Sequence, residues 1–150
     1  MKAKSFKELE IWQIGMAIAA DTYRLTSDFP EDERFGLISQ MRRSAISIPG
    51  NIAEGWGRAS QAQLANFVRI ARGSANELET FCELAVALEL ANLGDLKTLE
   101  AELTNFGKKS YLFIENMSQG IVREEVTAYG IESQILNLDP LTFDPSHLTN

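Results

Sequence analysis

Histidine and cysteine are almost missing from this chain, which holds one of each, His147 and Cys82, in 150 residues. A single thiol excludes an internal disulfide. One Cys and one His also cannot supply the several nitrogen and sulfur ligands of a zinc site. A carboxylate-bridged two-metal bundle needs two Glu-x-x-His pairs facing inward, and the sequence contains neither. A phosphate loop of the Gly-x-x-x-x-Gly-Lys type is absent too, because the Gly55-Trp56-Gly57 turn lacks both its length and its lysine. Glu79 and Glu83 flank Cys82, but one turn of acids beside a thiol reads as a solvated face next to a small buried side chain. The expectation is a protein that is not an enzyme and uses no metal or cofactor.

Long apolar runs are equally scarce. No stretch approaches the roughly 18 unbroken apolar residues of a membrane span, and residues 1–7 carry no apolar run of signal-peptide length. A cytoplasmic protein without a membrane partner is expected. The hydrophobic fraction of 45% is ordinary for a globular domain, and the length fits one core.

The net charge of −7 opposes non-specific binding to nucleic acid, but the charge is unevenly spread. From Arg34 to Arg72 there are six arginines (Arg34, Arg42, Arg43, Arg58, Arg69, Arg72), no lysine, and Glu54 as the single acid, a local net of +5. The rest of the chain carries −12. Arginine's planar fork suits phosphate and carboxylate better than lysine's point charge does. These six residues are therefore candidate contacts to RNA or DNA.

What the sequence does contain is helical rhythm. Ser5-Phe6-Lys7-Glu8 reads as a capping box opening a first helix at Ser5. Leu9, Trp12, Met16, Ala19 and Tyr23 follow at steps of three and four, until Phe29-Pro30 ends it. A second helix carries Ile38, Met41, Ala45, Ile48 and Ile52, with Pro49 expected to kink it. Ser60 and Gln63 cap a third, whose apolar members are Leu64, Phe67, Ala71, Leu78, Phe81, Ala85 and Leu88, with Ser74 interposed. Gly94 is expected to stop that helix and Asp95 to cap a fourth, built on Leu96, Leu99, Leu103, Phe106, Ser110, Phe113 and Met117. Short turns between long amphipathic helices make an all-α, up-and-down antiparallel four-helix bundle over residues 5–117.

Residues 118–150 break the pattern, forming an irregular acidic C-terminal extension with Gly120, Gly130, Pro140 and Pro145. Two readings stand open: a solvated tail, or an arm packed on a neighbouring surface through residues such as Ile131, Leu136 and Phe143.

Apolar residues also lie off the main stripes, including Ile11, Ile14, Ile18 and Leu25, then Val68, Cys82, Val86 and Leu93. A lone bundle cannot easily cover both sets, so a second buried face, and hence a homo-oligomer, is expected.

A polar stripe runs beside the apolar one on helix two: Gln40, Arg43, Ser47, Asn51, Glu54 and Arg58. Helix three carries Asn66, Arg69, Gly73, Asn76 and Thr80 at the same spacing. Solvated faces favour Lys and Glu, whereas these residue types suit fixed hydrogen bonds or close backbone approach. They read as a structural polar network, within the bundle or between subunits (Gln40, Arg43, Ser47, Asn51, Glu54, Arg58, Asn66, Asn76). A phosphate-gripping surface and an ordinary solvated face are the alternatives.

Particular residues carry a resemblance. They begin with Phe6, Leu9, Trp12-Gln13, Tyr23, Phe29-Pro30 and Glu33, and continue through Phe35-Gly36-Leu37, Gln40, Arg42-Arg43-Ser44 and Ser47-Ile48-Pro49. Asn51-Ile52-Ala53-Glu54-Gly55, Gly57-Arg58-Ala59-Ser60, Phe67, Ile70-Ala71, Gly73-Ser74 and Glu77-Leu78-Glu79 complete them. In this pattern the chain resembles, over about residues 5 to 117, the four-helix-bundle proteins encoded in intervening sequences of 23S ribosomal RNA genes. The accessory variability protein of diversity-generating retroelements belongs to the same group. The resemblance implies a homo-oligomer, a pentamer in known relatives, and for the retroelement branch binding to nucleic acid and a reverse transcriptase. Two departures stand out: the retroelement proteins are strongly basic while this chain is acidic, and its tail extends past the usual family end. The expected function is an oligomeric accessory protein that engages RNA or an RNA–protein complex. The alternative is a protein–protein interaction scaffold with no nucleic-acid role.

Overall fold

Four helices carry the chain, and their order follows from where each backbone finds its caps. The computed structural model describes residues 3–118; the extension beyond residue 118 lies outside the described residues. Helix α1 spans Glu10–Ser27, α2 Leu37–Gly57, α3 Gln61–Ala87 and α4 Leu93–Ser118, and no strand occurs among the described residues. Each helix packs on its sequence neighbours and α1 also packs on α4, closing the expected up-and-down bundle.

Ser5 does act as a cap, but of a single 3-10 turn, Phe6–Glu8, rather than of α1. Its Oγ accepts from the Lys7 N–H at 3.3 Å, and the Glu8 carboxylate accepts from the Lys4 N–H at 2.9 Å. Leu9 is then extended, at φ −70° and ψ 123°, so α1 starts at Glu10. Tertiary packing sets this break: Leu9 lies against the core, and Phe6 meets Trp12 edge-on at 5.5 Å.

The period of α1 was legible but its phase was not. Ile11, Gly15, Ile18, Ala19, Thr22 and Thr26 are buried, whereas Met16 and Tyr23 of the expected stripe are exposed. Small and hydroxylated members disguise the true face. The Thr22 and Thr26 hydroxyls donate to the Ile18 and Thr22 carbonyls at 2.7 and 2.8 Å, so both side chains enter the core with their polar atoms satisfied. Gly15 is where α1 closes on α2. A Cβ there would lie 3.1 Å from Ile48 Cγ2 and 3.3 Å from the Pro49 nitrogen.

On α2 the expected face holds throughout: Ile38, Met41, Ala45, Ile48 and Ile52 are all buried, and Pro49 sits buried inside the helix. Helix α3 keeps Leu64, Ala71, Leu78 and Ala85 in the core. The core stripe is shifted toward α4, however, adding Val68, Ala75 and Cys82 and leaving Leu88 exposed. Ile11, Ile18, Val68 and Cys82 were expected to line a second face, yet they belong to the bundle's own core.

The α3–α4 connection also differs from expectation. Gly94 is not the stop, since it lies inside the first turn of α4. Glu89 takes the left-handed conformation instead, at φ 57°. The Leu90 N–H reaches the Ala85 carbonyl and the Glu89 N–H reaches that of Val86, which satisfies the last carbonyls of α3. Asn92, not Asp95, caps α4: Asn92 Oδ1 accepts from the Asp95 N–H while the Asp95 carboxylate accepts from the Asn92 N–H, both at 3.0 Å. Beyond that turn Leu96, Leu99, Leu103, Phe106, Ser110 and Met117 are buried as expected, with Ile114 added and Phe113 half-buried.

Candidate nucleic-acid interface

Two hydrogen bonds fix how α2 and α3 lie together. Ser44 Oγ donates to Glu77 Oε1 at 2.7 Å, and Ser74 Oγ to Ser47 Oγ at 3.1 Å. Asn51 joins them by donating to the Ser47 carbonyl at 2.7 Å and its hydroxyl at 2.9 Å. This is a polar seam between helices. It includes Ser47 and Asn51 of the expected stripe, but also Ser44, Ser74 and Glu77, which the stripe omitted.

The other expected network residues are placed differently. Arg58 pairs with Glu54 one turn back at 2.6 Å, and Arg69 donates to Asn66 at 3.2 Å. Both contacts stay within one helix and lie at the surface. Asn76 accepts from Thr80 through its backbone carbonyl. Gln40 and Arg43 are exposed, and neither side chain joins the seam.

The six arginines do not form one tight patch. Arg42 reaches back to α1, where its Nε donates to Thr26 Oγ1 at 2.9 Å and its guanidinium lies 4.5 Å over the Tyr23 ring. Arg72 reaches the opposite way, 5.6 Å from the Tyr111 ring of α4. These two mark the edges of a broad face made by α2 and α3, with Arg43, Arg58 and Arg69 between them. Arg34 stands apart at the end of the bundle, 5.6 Å from the ring of Phe35. Arg58 lies 5.5 Å from the Phe67 ring in addition to its ion pair.

Thus four of the six guanidiniums rest on aromatic rings, and one of the six pairs with a carboxylate. A ring holds a guanidinium in position through its negative face without cancelling the charge, as a carboxylate would. Sequence reasoning missed these supports. Only the Arg34-Phe35 adjacency was visible; Tyr23, Phe67 and Tyr111 come from other elements or other turns.

Titratable groups inside the bundle offer little chemistry. Burial pushes the Cys82 thiol up to about 12, and Glu100, Glu79 and Glu83 add to the shift. Such a thiol stays protonated and is a poor nucleophile. Burial also raises Glu102, partly offset by Arg24, and its Oε2 has no hydrogen-bond partner. Among the described residues no group of three or more His, Cys, Asp or Glu is placed to hold a metal ion, and no helix is long and apolar enough to cross a membrane.

Exposed apolar side chains lie along the same layers. Tyr23 and Arg42 touch across the α1–α2 groove; Ile46 follows one turn along α2, and Met16 two turns back along α1, all toward the same end. Ile70 is exposed on α3, and a Cβ added at Gly50, Gly57 or Gly73 would meet nothing within 4 Å.

Compared with known proteins, the chain matches the family model described as 23S rRNA-intervening sequence protein over residues 7–111. No curated protein matches it.

Proposed function

The chain belongs to the 23S rRNA-intervening sequence protein family, and from that premise we propose a non-catalytic, homo-oligomeric accessory protein of the cytoplasm that grips structured RNA through the α2–α3 arginines. One observation carries this reading. Of the five arginines on or beside α2 and α3, Arg42, Arg58 and Arg72 lie against rings and only Arg58 is paired with a carboxylate, so positive charge on this face remains available to phosphates. Self-association is supported by Met16, Tyr23, Ile46 and Ile70, large apolar side chains left exposed, with open space at Gly50 and Gly73 one turn beyond Ile46 and Ile70. In a ring of five, the subunit count implied by the family resemblance, that arginine face recurs at each subunit. The acidic remainder of each copy would repel RNA elsewhere and restrict contact to this face.

Filter binding to a structured RNA hairpin tests the proposal. Retention at low salt should fall steeply as salt rises, with a slope of about −0.7 to −0.9 per phosphate contact. The double substitution Arg43→Glu and Arg72→Glu should abolish retention and leave the assembly mass unchanged. No retention of RNA or DNA by the unaltered protein at low salt overturns it. A second reading, a protein-interaction scaffold, is favoured by the exposed Ile46 and Ile70. Under that reading the same charge reversals break the assembly instead, which size-exclusion chromatography with light scattering reads directly.

A further inference from the structure

The bundle has two unlike ends, and the one holding the α1–α2 and α3–α4 connections carries an aromatic ring almost wholly in water. Phe35, between the 3-10 turn Glu31–Glu33 and α2, is 90% exposed. The register set by Ser44–Glu77 and Ser47–Ser74 brings residue 35 level with residue 86, near the end of α3. Leu88 and Leu93, 52% and 67% exposed, flank the α3–α4 connection at that same end, and Leu84 is exposed one turn before Leu88. Phe29 closes the core beneath, and Leu90 and Ala91 pack against it, so the exposed residues sit on a firm base.

The rim is mostly negative. Asp28, Glu31, Asp32, Glu89 and Asp95 are all exposed here, against Arg34, Lys97 one turn into α4, and Arg24 in the last turn of α1, which pairs with Asp21. Apolar anchors inside a rim where acids outnumber bases, with Arg34 over the Phe35 ring, form a surface complementary to an apolar and basic partner. Nucleic acid is excluded by its own charge. Aromatic side chains, phenylalanine among them, are enriched at protein interfaces relative to the rest of the surface.

We propose that this end of the bundle is a docking site for a basic amphipathic segment of another protein, an apolar helix face flanked by Lys or Arg that seats on Phe35, Leu88 and Leu93. The site is separate from the arginine face, so a subunit engages an acidic polymer on its flank and a basic protein at its tip.

The probe is a short synthetic amphipathic helix of Leu and Lys, with a Leu and Glu helix of the same pattern as control, titrated by fluorescence anisotropy. The Leu–Lys helix should bind and the Leu–Glu helix should not. Phe35→Ala with Leu93→Ala should weaken binding by about tenfold or more, with the melting temperature nearly unchanged because both side chains are exposed. Glu31→Lys with Asp32→Lys should weaken binding and reduce its salt dependence. Equal binding of both helices overturns the proposal, as does an affinity unchanged by Phe35→Ala and Leu93→Ala. If Phe35→Ala instead lowers the assembly mass in light scattering, the tip joins copies of this chain and the proposal fails.

Discussion

Alanine at Gly55 and alanine at Gly50 should have opposite effects on stability, although both replace a helical glycine on α2. Removing glycine from a helix interior favours the helix by up to about 1 kcal/mol, because glycine loses more backbone freedom on folding. At Gly50 nothing lies within 4 Å of the added methyl, so that gain should appear nearly whole. At Gly55 the methyl would lie 2.6 Å from Phe67 Cβ and 3.2 Å from Leu64 Cα. Neither neighbour can rotate aside, since one is a side-chain stem and the other is backbone. Helices α2 and α3 must therefore separate, and overpacking of this kind costs about 1–3 kcal/mol, with rigid neighbours placing it toward the top of that range. Set against the propensity gain of about 1 kcal/mol, the net loss is about 2 kcal/mol. For a domain of this size that is a fall in Tm of roughly 4–8 °C, against a rise of about 2–4 °C for Gly50→Ala. Circular dichroism melts and urea titrations of the two variants decide it. A Gly55→Ala protein as stable as the parent would show that the α2–α3 approach is looser than described, and the polar seam built on that approach would lose its basis.

Three other outcomes follow from the same geometry. Glu89→Gly should stabilise the fold by about 1 kcal/mol, because Glu89 holds a left-handed φ of 57° that glycine adopts without steric cost; thermal melts measure it. The Cys82 thiol should resist a thiol reagent at pH 8 until denaturant opens the bundle. Since its folded pKa of about 12 lies above the ordinary thiol value of 9.0, the unfolded state loses its proton first. The thiol's contribution is thus fully present below pH 9 and declines as pH rises from 9 toward 12. Urea midpoints of the parent and Cys82→Ala, compared across that range, should show a smaller decline in the variant. Glu102→Gln should raise stability at neutral pH and matter less in acid. A raised folded pKa means the folded state holds its proton longer, so the native carboxyl is favoured at low pH and penalised once both states ionise.

The family motif shows how far local sequence reaches. The core face of α2 is legible in Ile38, Met41, Ala45, Ile48 and Ile52, because these apolar residues recur at helical spacing among polar ones. Helix α4 was readable for the same reason. Helix α1 was not, since its core face uses Gly15, Thr22 and Thr26. A glycine and two threonines look polar or neutral until Pro49 and Ile48 are seen pressed against one and the backbone is seen absorbing the hydroxyls of the others. The candidate arginines were visible by composition, but the rings beneath them were not.

Sequence periodicity by itself determined four helices, their order and the antiparallel turns between them, because a 3.6-residue repeat and short connections depend on neighbours along the chain. Tertiary structure alone decided which side of α1 faces inward, which connection residues turn left-handed, and that Tyr23 and Tyr111 lie under arginines of other helices. Those outcomes depend on contacts between residues far apart in sequence, where shape and hydrogen-bond satisfaction, not local propensity, select the arrangement.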